Sequence, residues 1–264
     1  MSVPGPGLRA SALAALCCAD PAQKAALARE LPSLEVEQRA TALPAPDVPG
    51  RPGRPLLVPP QQVPRRRAGS AAGRAALLHA VAHIEFNAIN LALDALVRFP
   101  GMPSDFYGDW AKVAAEEAQH FLLLTGHLGT LGHAYGDFPA HDGLWEAARK
   151  TAGDVLARMA LVPRVLEARG LDVTPGMQAR LRAAGDPTAA EILDLILRDE
   201  IGHVAIGNRW YYWLCAERGL EPVATFRCLC RDHGQALPHP PFNLSARLAG
   251  GFSTAELAGF EEVP

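Results

Sequence analysis

The stretch 195–203 reads L-I-L-R-D-E-I-G-H and places a glutamate and a histidine inside an apolar run of helical character. Glu200 and His203 are three residues apart, so in a helix they share one face. The same spacing relates Glu117 and His120, within the segment A-E-E-A-Q-H. Because a polar pair on an apolar helical face needs an explanation, these two pairs are the starting point for predicting fold and function.

The residues three, four and seven positions away from a glutamate show which helix face it occupies. Around Glu85, Glu117 and Glu200 these residues are apolar apart from the two histidines. Adjacent Glu116 has polar and charged neighbours and belongs to a different face. Glu167 gives a mixed result, with both apolar and polar neighbours at these positions. We therefore expect carboxylates of several helices to face the core.

Buried carboxylates are costly unless a positive charge compensates them. The apolar faces carry Arg164 as their only basic residue, so metal ions are a simpler source of charge than ion pairs. Glu85 precedes Glu117 by 32 residues, and Glu167 precedes Glu200 by 33. This repeat, a glutamate on one helix and E-x-x-H on the next, is the pattern of ferritin-like di-iron and di-manganese carboxylate bundles.

The predicted ligand set combines four carboxylates with two imidazoles. Such oxygen and nitrogen donors suit iron or manganese better than structural zinc, which prefers thiolates in a closed tetrahedron. The predicted metal ligands are Glu85, Glu117, His120, Glu167, Glu200 and His203. The alternative is a purely structural bundle in which hydrogen bonds satisfy the buried polar residues. Two matched repeats favour the metal site.

Helical patterns dominate the chain, and no alternating strand pattern with hairpin turns is present. The expected helices cover 8–31, 70–99, 104–131, 142–169 with a kink at Pro163 and an end at Gly170, 187–218 and 221–236. The stretch 41–64 carries eight prolines, which exclude a helix and favour an extended strap pinned by Leu56, Leu57 and Val58.

These elements predict an all-α fold, a ferritin-like four-helix bundle with an N-terminal extension. The expected domains are 1–66, a helical segment with a proline-rich linker, and 67–264, the bundle. The tail at 237–253 is expected to be an ordered strap rather than a helix.

Composition excludes several broad classes of protein. The 264 residues are 49% hydrophobic with a net charge of −3, so no strong attraction to nucleic acid or a membrane surface is expected. The five cysteines suggest neither a disulfide framework nor a zinc site. The short basic run 65–67 is interpreted as a solvated linker charge. With no secretory layout and no apolar run of membrane-spanning length, we expect a cytoplasmic protein.

Several segments resemble a bacterial ferritin-like family known as domain of unknown function 455. They are H-I-E-F-N-A-I-N-L-A-L-D, E-E-A-Q-H, P-R-V-L-E-A-R-G-L-D-V-T-P and R-D-E-I-G-H, and the resemblance covers roughly 70–255. It implies a di-iron fold and puts the same six residues on the ligand positions. More distantly, the layout is similar to di-iron oxygenases, including the tRNA-modifying hydroxylase. In several oxygenases an aspartate at the position of Asp199 supports a ligand histidine; an ordinary surface acid is the alternative.

Two other groups of residues have a spacing or composition found in functional sites. His79 and His83 have the i, i+4 spacing of metal ligands but no apparent partner, so hydrogen-bonded or interface histidines are the favoured interpretation. The W-Y-Y-W segment at 210–213 is interpreted as core and interface packing rather than an electron relay, although Tyr211 or Tyr212 could still take part in redox steps.

The predicted function is an O2-dependent di-iron oxidase or oxygenase acting on a small organic substrate. Two iron ions are the expected cofactor, with Mn/Fe or Mn/Mn pairs as alternatives. An external reductase or the substrate itself would supply electrons, and a homodimer is a further expectation. The alternatives are a ferroxidase or iron-storage protein and a tRNA-modifying hydroxylase-like enzyme; the modest net charge counts against nucleic acid as substrate.

Overall fold

The chain is all-helical over the residues that the structure, a computed structural model, describes: 7–36, 41–63 and 68–261. Within those ranges the only extended pairing is an isolated bridge between Leu57 and Ala140. The helices are α1 Leu8–Cys17, α2 Pro21–Glu30, α3 Ala71–Arg98, α4 Ser104–Thr130, α5 Gly143–Lys150, α6 Val155–Leu161, α7 Ala168–Ala183, α8 Pro187–Glu217, α9 Pro222–Asp232, α10 Leu244–Ala249 and α11 Thr254–Glu261. Between α6 and α7 lies a π-helical segment, Val162–Glu167.

Two compact units divide the chain, Met1–Glu146 and Ala147–Pro264, called unit 1 and unit 2 below. The predicted domain boundary between 66 and 67 and the basic run 65–67 lie outside the described residues, so both stay predictions.

In unit 1 the long helices α3 and α4 pack against each other, joined by the short connection 99–103. Ser70 caps α3 by accepting a hydrogen bond from the Gly73 amide at 3.1 Å, as the sequence predicts. Among the described residues, α3 alone is apolar and long enough to cross a membrane, and 94% of its most apolar stretch is buried. Such burial is typical of a core helix.

The N-terminal helices are tied to the end of α3 by buried basic side chains. The Arg9 guanidinium donates to the carbonyls of Leu96 and Val97 at 2.8 and 2.9 Å. A cation there satisfies carbonyls that the last helical turn leaves without an amide partner. Lys24 Nζ donates to the carbonyls of Leu16 and Gly50 at 3.1 and 2.8 Å, so α2 holds both α1 and the proline-rich strap.

Over its described residues, 41–63, the proline-rich strap contains no α-helix, as predicted, and has one 3-10 turn at Pro60–Gln62. Its backbone pairs with Ala140: the Val58 amide donates at 2.8 Å, and the Ala140 amide donates to Leu56 at 3.0 Å. The side chains of Leu56 and Leu57 are 68% and 37% exposed. The strap is therefore pinned here by its backbone and not, as predicted, by the Leu56 and Leu57 side chains.

The third long helix of the prediction, 142–169, is divided into several helical segments in the structure. Residues 151–154 separate α5 from α6, and the expected irregularity at Pro163 is the π-helical segment. The predicted end at Gly170 is wrong, because the chain continues as α7 to Ala183. Gly170 does not adopt a positive φ, and Leu171 and Leu181 carry a buried face beyond it.

The fourth long helix, α8, begins and ends where the sequence predicts. Asp186 accepts a hydrogen bond from the Ala189 amide at 3.0 Å, and Pro187 occupies the first turn. Gly219 follows the helix with φ of +62°. The positive φ ends the helix at a position that favours glycine.

The prediction of a non-helical tail is wrong, because it contains α10 and is followed by α11. Asn243 caps α10 by accepting from the Ala246 amide at 3.3 Å. Ser253 and Glu256 form a capping box at the start of α11: the Glu256 amide donates to Ser253 Oγ at 3.2 Å, and the Ser253 amide to Glu256 Oε2 at 3.0 Å. The S-x-x-E spacing in the sequence was the signal for this second helix.

Candidate metal centre

Unit 1 brings three predicted ligands together in its core. Glu85 projects from the buried face of α3, and Glu117 and His120 project from α4 one turn apart. All three are buried, with exposed fractions of 3%, 0% and 0%. One potential ligand atom of each residue lies within 4.8 Å of the others. The three residues, called the unit 1 triad below, present oxygen and nitrogen donors close enough to hold one cation.

The imidazole of His120 lies between the two carboxylates. Its Nδ1 is 3.2 Å from Glu85 Oε2 and 3.3 Å from Glu117 Oε2. Burial and the charge of Glu117 raise the pKa of Glu85. Burial alone would lower the pKa of His120, but hydrogen bonds and charges of Glu117 and Glu85 outweigh it and raise this pKa to about 11. A protonated imidazole thus supplies the positive charge that a metal ion could replace.

The two buried basic side chains of α1 and α2 donate elsewhere. Lys24 gives its protons to the carbonyls of Leu16 and Gly50 and to the amide oxygen of Asn90. Arg9 donates to backbone carbonyls at the end of α3. Because an ammonium has three donors, the contacts of Lys24 use all of them. The compensating charge that the structure does show beside Glu85 and Glu117 belongs to His120.

Neighbouring Glu116 is in a very different environment from Glu117. Its Oε2 accepts from Lys112 Nζ at 2.7 Å, and the two side chains are 30% and 56% exposed. Glu117 is fully buried. The helical-face argument therefore separates two adjacent glutamates into one buried and one surface residue.

Unit 2 contains the second pair of glutamate and histidine, on α8, and its glutamate is more exposed than those of the unit 1 triad. His203 is fully buried, and its Nδ1 lies 3.6 Å from Glu200 Oε1, whose side chain is 13% exposed. Glu167 is the last residue of the π-helical segment and is half-buried. The structure thus brings Glu200 and His203 together on one turn and places Glu167 on an irregular backbone.

The structure gives Asp199 a contact with its chain neighbour. Its Oδ1 lies 3.2 Å from Nε of Arg198, a pair at the surface in which the Asp199 side chain is 22% exposed. This contact is compatible with the surface-acid alternative. The predicted support of a ligand histidine stays a prediction.

His79 and His83 are hydrogen-bonded within unit 1, as the favoured interpretation predicts. His83 Nδ1 lies 2.8 Å from the Tyr135 hydroxyl, and His79 Nε2 accepts from the Gly136 amide at 2.9 Å. Burial lowers the pKa of His83 to about 4, which keeps this imidazole neutral near pH 7.

The aromatic segment 210–213 contributes to the core of unit 2, which confirms the core packing that the sequence predicts, whereas the interface packing stays a prediction. Trp210 and Tyr211 are buried, and the Tyr211 hydroxyl donates to the Pro222 carbonyl at 2.6 Å. Sequence reasoning missed what Tyr211 and Tyr212 pack against. The Arg164 guanidinium carbon lies 4.4 and 5.1 Å from the centres of their rings.

Fold and site together define an all-helical protein with a buried group of glutamates and histidine able to bind a metal ion. The chain belongs to the family described as Protein of unknown function (DUF455), whose model matches residues 17–258. An uncharacterized protein of Haemophilus influenzae is 46% identical over 94% of this chain and 92% of its own length. No solved structure matches the chain significantly.

Proposed function

We propose that the chain is an iron-binding carboxylate protein of the ferritin-like class, in which the six predicted ligands hold two iron ions. The observation that carries this proposal is the unit 1 triad. Two carboxylates and an imidazole, all buried, lie within 4.8 Å of one another. In a core that serves only stability, apolar side chains would be favoured at these positions. Their oxygen and nitrogen donors fit Fe(II) or Mn(II).

The chain's own residues have defined tasks at such a site. The carboxylates of Glu85 and Glu117 would hold the metal, and the Nδ1 of His120 would complete the donor set. His120 has to lose its proton first, so metal binding is accompanied by proton release. The apolar residues around the triad, among them Leu78, Ile89, Phe121 and Leu124, are buried and would exclude water. When bound, the two iron ions would supply O2 activation and electron transfer.

An oxidase or oxygenase acting on a small organic substrate is the reaction that we favour, in the cytoplasm and with an external electron donor. The net charge of −3 counts against tRNA as the substrate. A ferroxidase is the second candidate, because the same buried donors would also bind Fe(II) as a substrate.

Mixing the Fe(II)-loaded protein with O2 in a stopped-flow spectrometer tests the proposal. A transient visible absorption band is expected in the wild type and absent from Glu117→Ala. Added excess Fe(II) separates the two candidates. An oxidase consumes O2 only in proportion to the bound iron when no substrate is present, whereas a ferroxidase continues until the excess Fe(II) is oxidised. A wild type that binds Fe(II) but never reacts with O2 would contradict both.

A further inference from the structure

A buried polar cluster in unit 2 connects the π-helical segment to the C-terminal tail, which from here on means residues 237–261 and includes α10 and α11. Arg164, from that segment, donates to the amide oxygen of Asn208 and to Glu256 Oε1, the latter at 2.7 Å. Tyr212 donates its hydroxyl proton to Glu256 Oε2 at 2.5 Å. Asn208 donates to the Gly250 carbonyl at 2.5 Å. We call these four side chains the C-terminal latch; they join α8 and the tail to the π-helical segment.

Three of the four latch side chains are buried, Tyr212 is half-buried, and the charges of Arg164 and Glu256 balance each other. Arg164, Asn208 and Glu256 are 0%, 2% and 5% exposed. The guanidinium carbon of Arg164 lies 4.9 Å from the ring centres of both Phe226 and Phe252. A buried guanidinium is tolerated only with such partners, so removing Glu256 would leave an uncompensated charge in the core. Glu256 is thus the charge partner that the tail supplies to Arg164 of the π-helical segment.

A second contact fixes the same segment against the ligand-bearing face of α8. Gly207 follows Glu200 by seven residues and His203 by four, so the three share one face. A Cβ added to Gly207 would lie 2.2 Å from Pro163 Cβ. The segment therefore rests directly on the α8 face that carries Glu200 and His203, and the glycine makes that approach possible.

The backbone form of the segment determines where Glu167 points. A π-type turn adds a residue to a helix, which rotates the following side chains by about 100° relative to a regular α-helix. Glu167 is the last residue of the segment, and Arg164 lies three residues before it. Anything that holds Arg164 therefore constrains the direction of the Glu167 carboxylate.

We propose that the C-terminal latch positions Glu167 for metal binding, an inference that rests on the proposed function. Glu256 and Tyr212 act through Arg164 and not on the metal. The tail is then a required part of the second half of the site, although it contributes no ligand of its own.

The test compares Glu256→Gln with Asp172→Asn in the full-length chain. Glu256→Gln removes the charge that faces Arg164 but keeps an oxygen acceptor, so the chain should fold with a lower free energy of unfolding. Asp172 pairs with Arg247 at 2.7 Å, both side chains being 1% exposed, and it also holds the tail. Asp172→Asn is thus a matched control that loses a buried ion pair without touching Arg164.

Two readouts are measured, anaerobic Fe(II) binding and hydrogen exchange of the amides at 162–168. Glu256→Gln should bind one of the two ions at least about tenfold more weakly, because substituting a residue that supports a metal ligand generally lowers metal affinity by this much. Its amides at 162–168 should exchange at least about tenfold faster. Asp172→Asn should change both measurements much less than Glu256→Gln, although its partner Arg247 also donates to the Ala168 carbonyl at 3.4 Å. Tyr212→Phe should give a smaller change in the same direction as Glu256→Gln.

The inference is overturned if Glu256→Gln binds both ions normally, or if both variants lose the ion to the same extent. A wild type that binds no iron at all would instead contradict the proposed function. In that case the exchange measurement still decides whether the latch holds the segment, because it requires no metal.

Discussion

The two helix pairs carry the same pattern of residues on backbones of different regularity. In unit 1, Glu85, Glu117 and His120 lie on uninterrupted α-helices and are buried. In unit 2, Glu167 ends a π-helical segment, and Glu200 retains some exposure. The first set of side chains is oriented by helix geometry alone. The second depends on contacts made by a distant part of the chain.

The largest expected effect concerns the unit 1 triad. Glu117→Ala removes a proposed ligand and should weaken metal binding by more than about 100-fold, which is the upper end of the effect of substituting a residue that supports a ligand. Glu116→Ala, its matched control, removes a surface pair with Lys112 and should leave binding unchanged. Titration calorimetry with Fe(II) or Mn(II) under anaerobic conditions measures both. Equal losses in the two variants would refute the assignment of helix faces.

The corresponding change in unit 2 should affect one ion. His203→Ala is expected to leave about one iron per chain in place of two, because the unit 1 triad is intact. Elemental analysis of the purified variant measures this stoichiometry. A variant that still carries two full equivalents would show that His203 is not a ligand.

A glycine exchange tests the irregular backbone of unit 2. Gly207→Ala places a methyl group against Pro163 and should lower the free energy of unfolding by about 1–3 kcal/mol, as overpacking does. Gly202→Ala lies in the same helix, and among the described residues no atom beyond its chain neighbours and the adjacent helix backbone is within 4 Å of the new methyl group. This exchange should stabilise by about 0.5–1 kcal/mol. Chemical denaturation measures both, and a Gly207→Ala variant as stable as Gly202→Ala would contradict the close packing.

The last comparison concerns the pH dependence of the stability of the metal-free protein. The pKa of His120 is 6.5 when unperturbed and about 11 in the fold. Its protonation thus contributes stability that is fully present below about pH 6.5 and is lost as the pH rises towards 11. The difference in Tm between the wild type and His120→Gln should be larger at pH 6 than at pH 10. A constant difference would mean that Glu85 and Glu117 do not hold the imidazole proton.

The regular parts of the molecule were readable from the sequence because helix geometry repeats. Spacing alone separated buried Glu117 from partly exposed Glu116, and capping residues located the beginnings of α3 and α8. The face of Glu167 was ambiguous because the test assumes α-helical periodicity, which the π-helical segment breaks. The partnership of Arg164 and Glu256 joins residues far apart in the chain, and no local pattern signals it.

The most direct test of the central claim is the metal content of the protein purified from cells grown with iron. Elemental analysis should find about two irons per chain, one for each glutamate and E-x-x-H repeat. No metal, or a single zinc, would contradict the account. The glutamates of both units would then be compensated by protons and hydrogen bonds alone, as His120 compensates Glu85 and Glu117 in the metal-free chain.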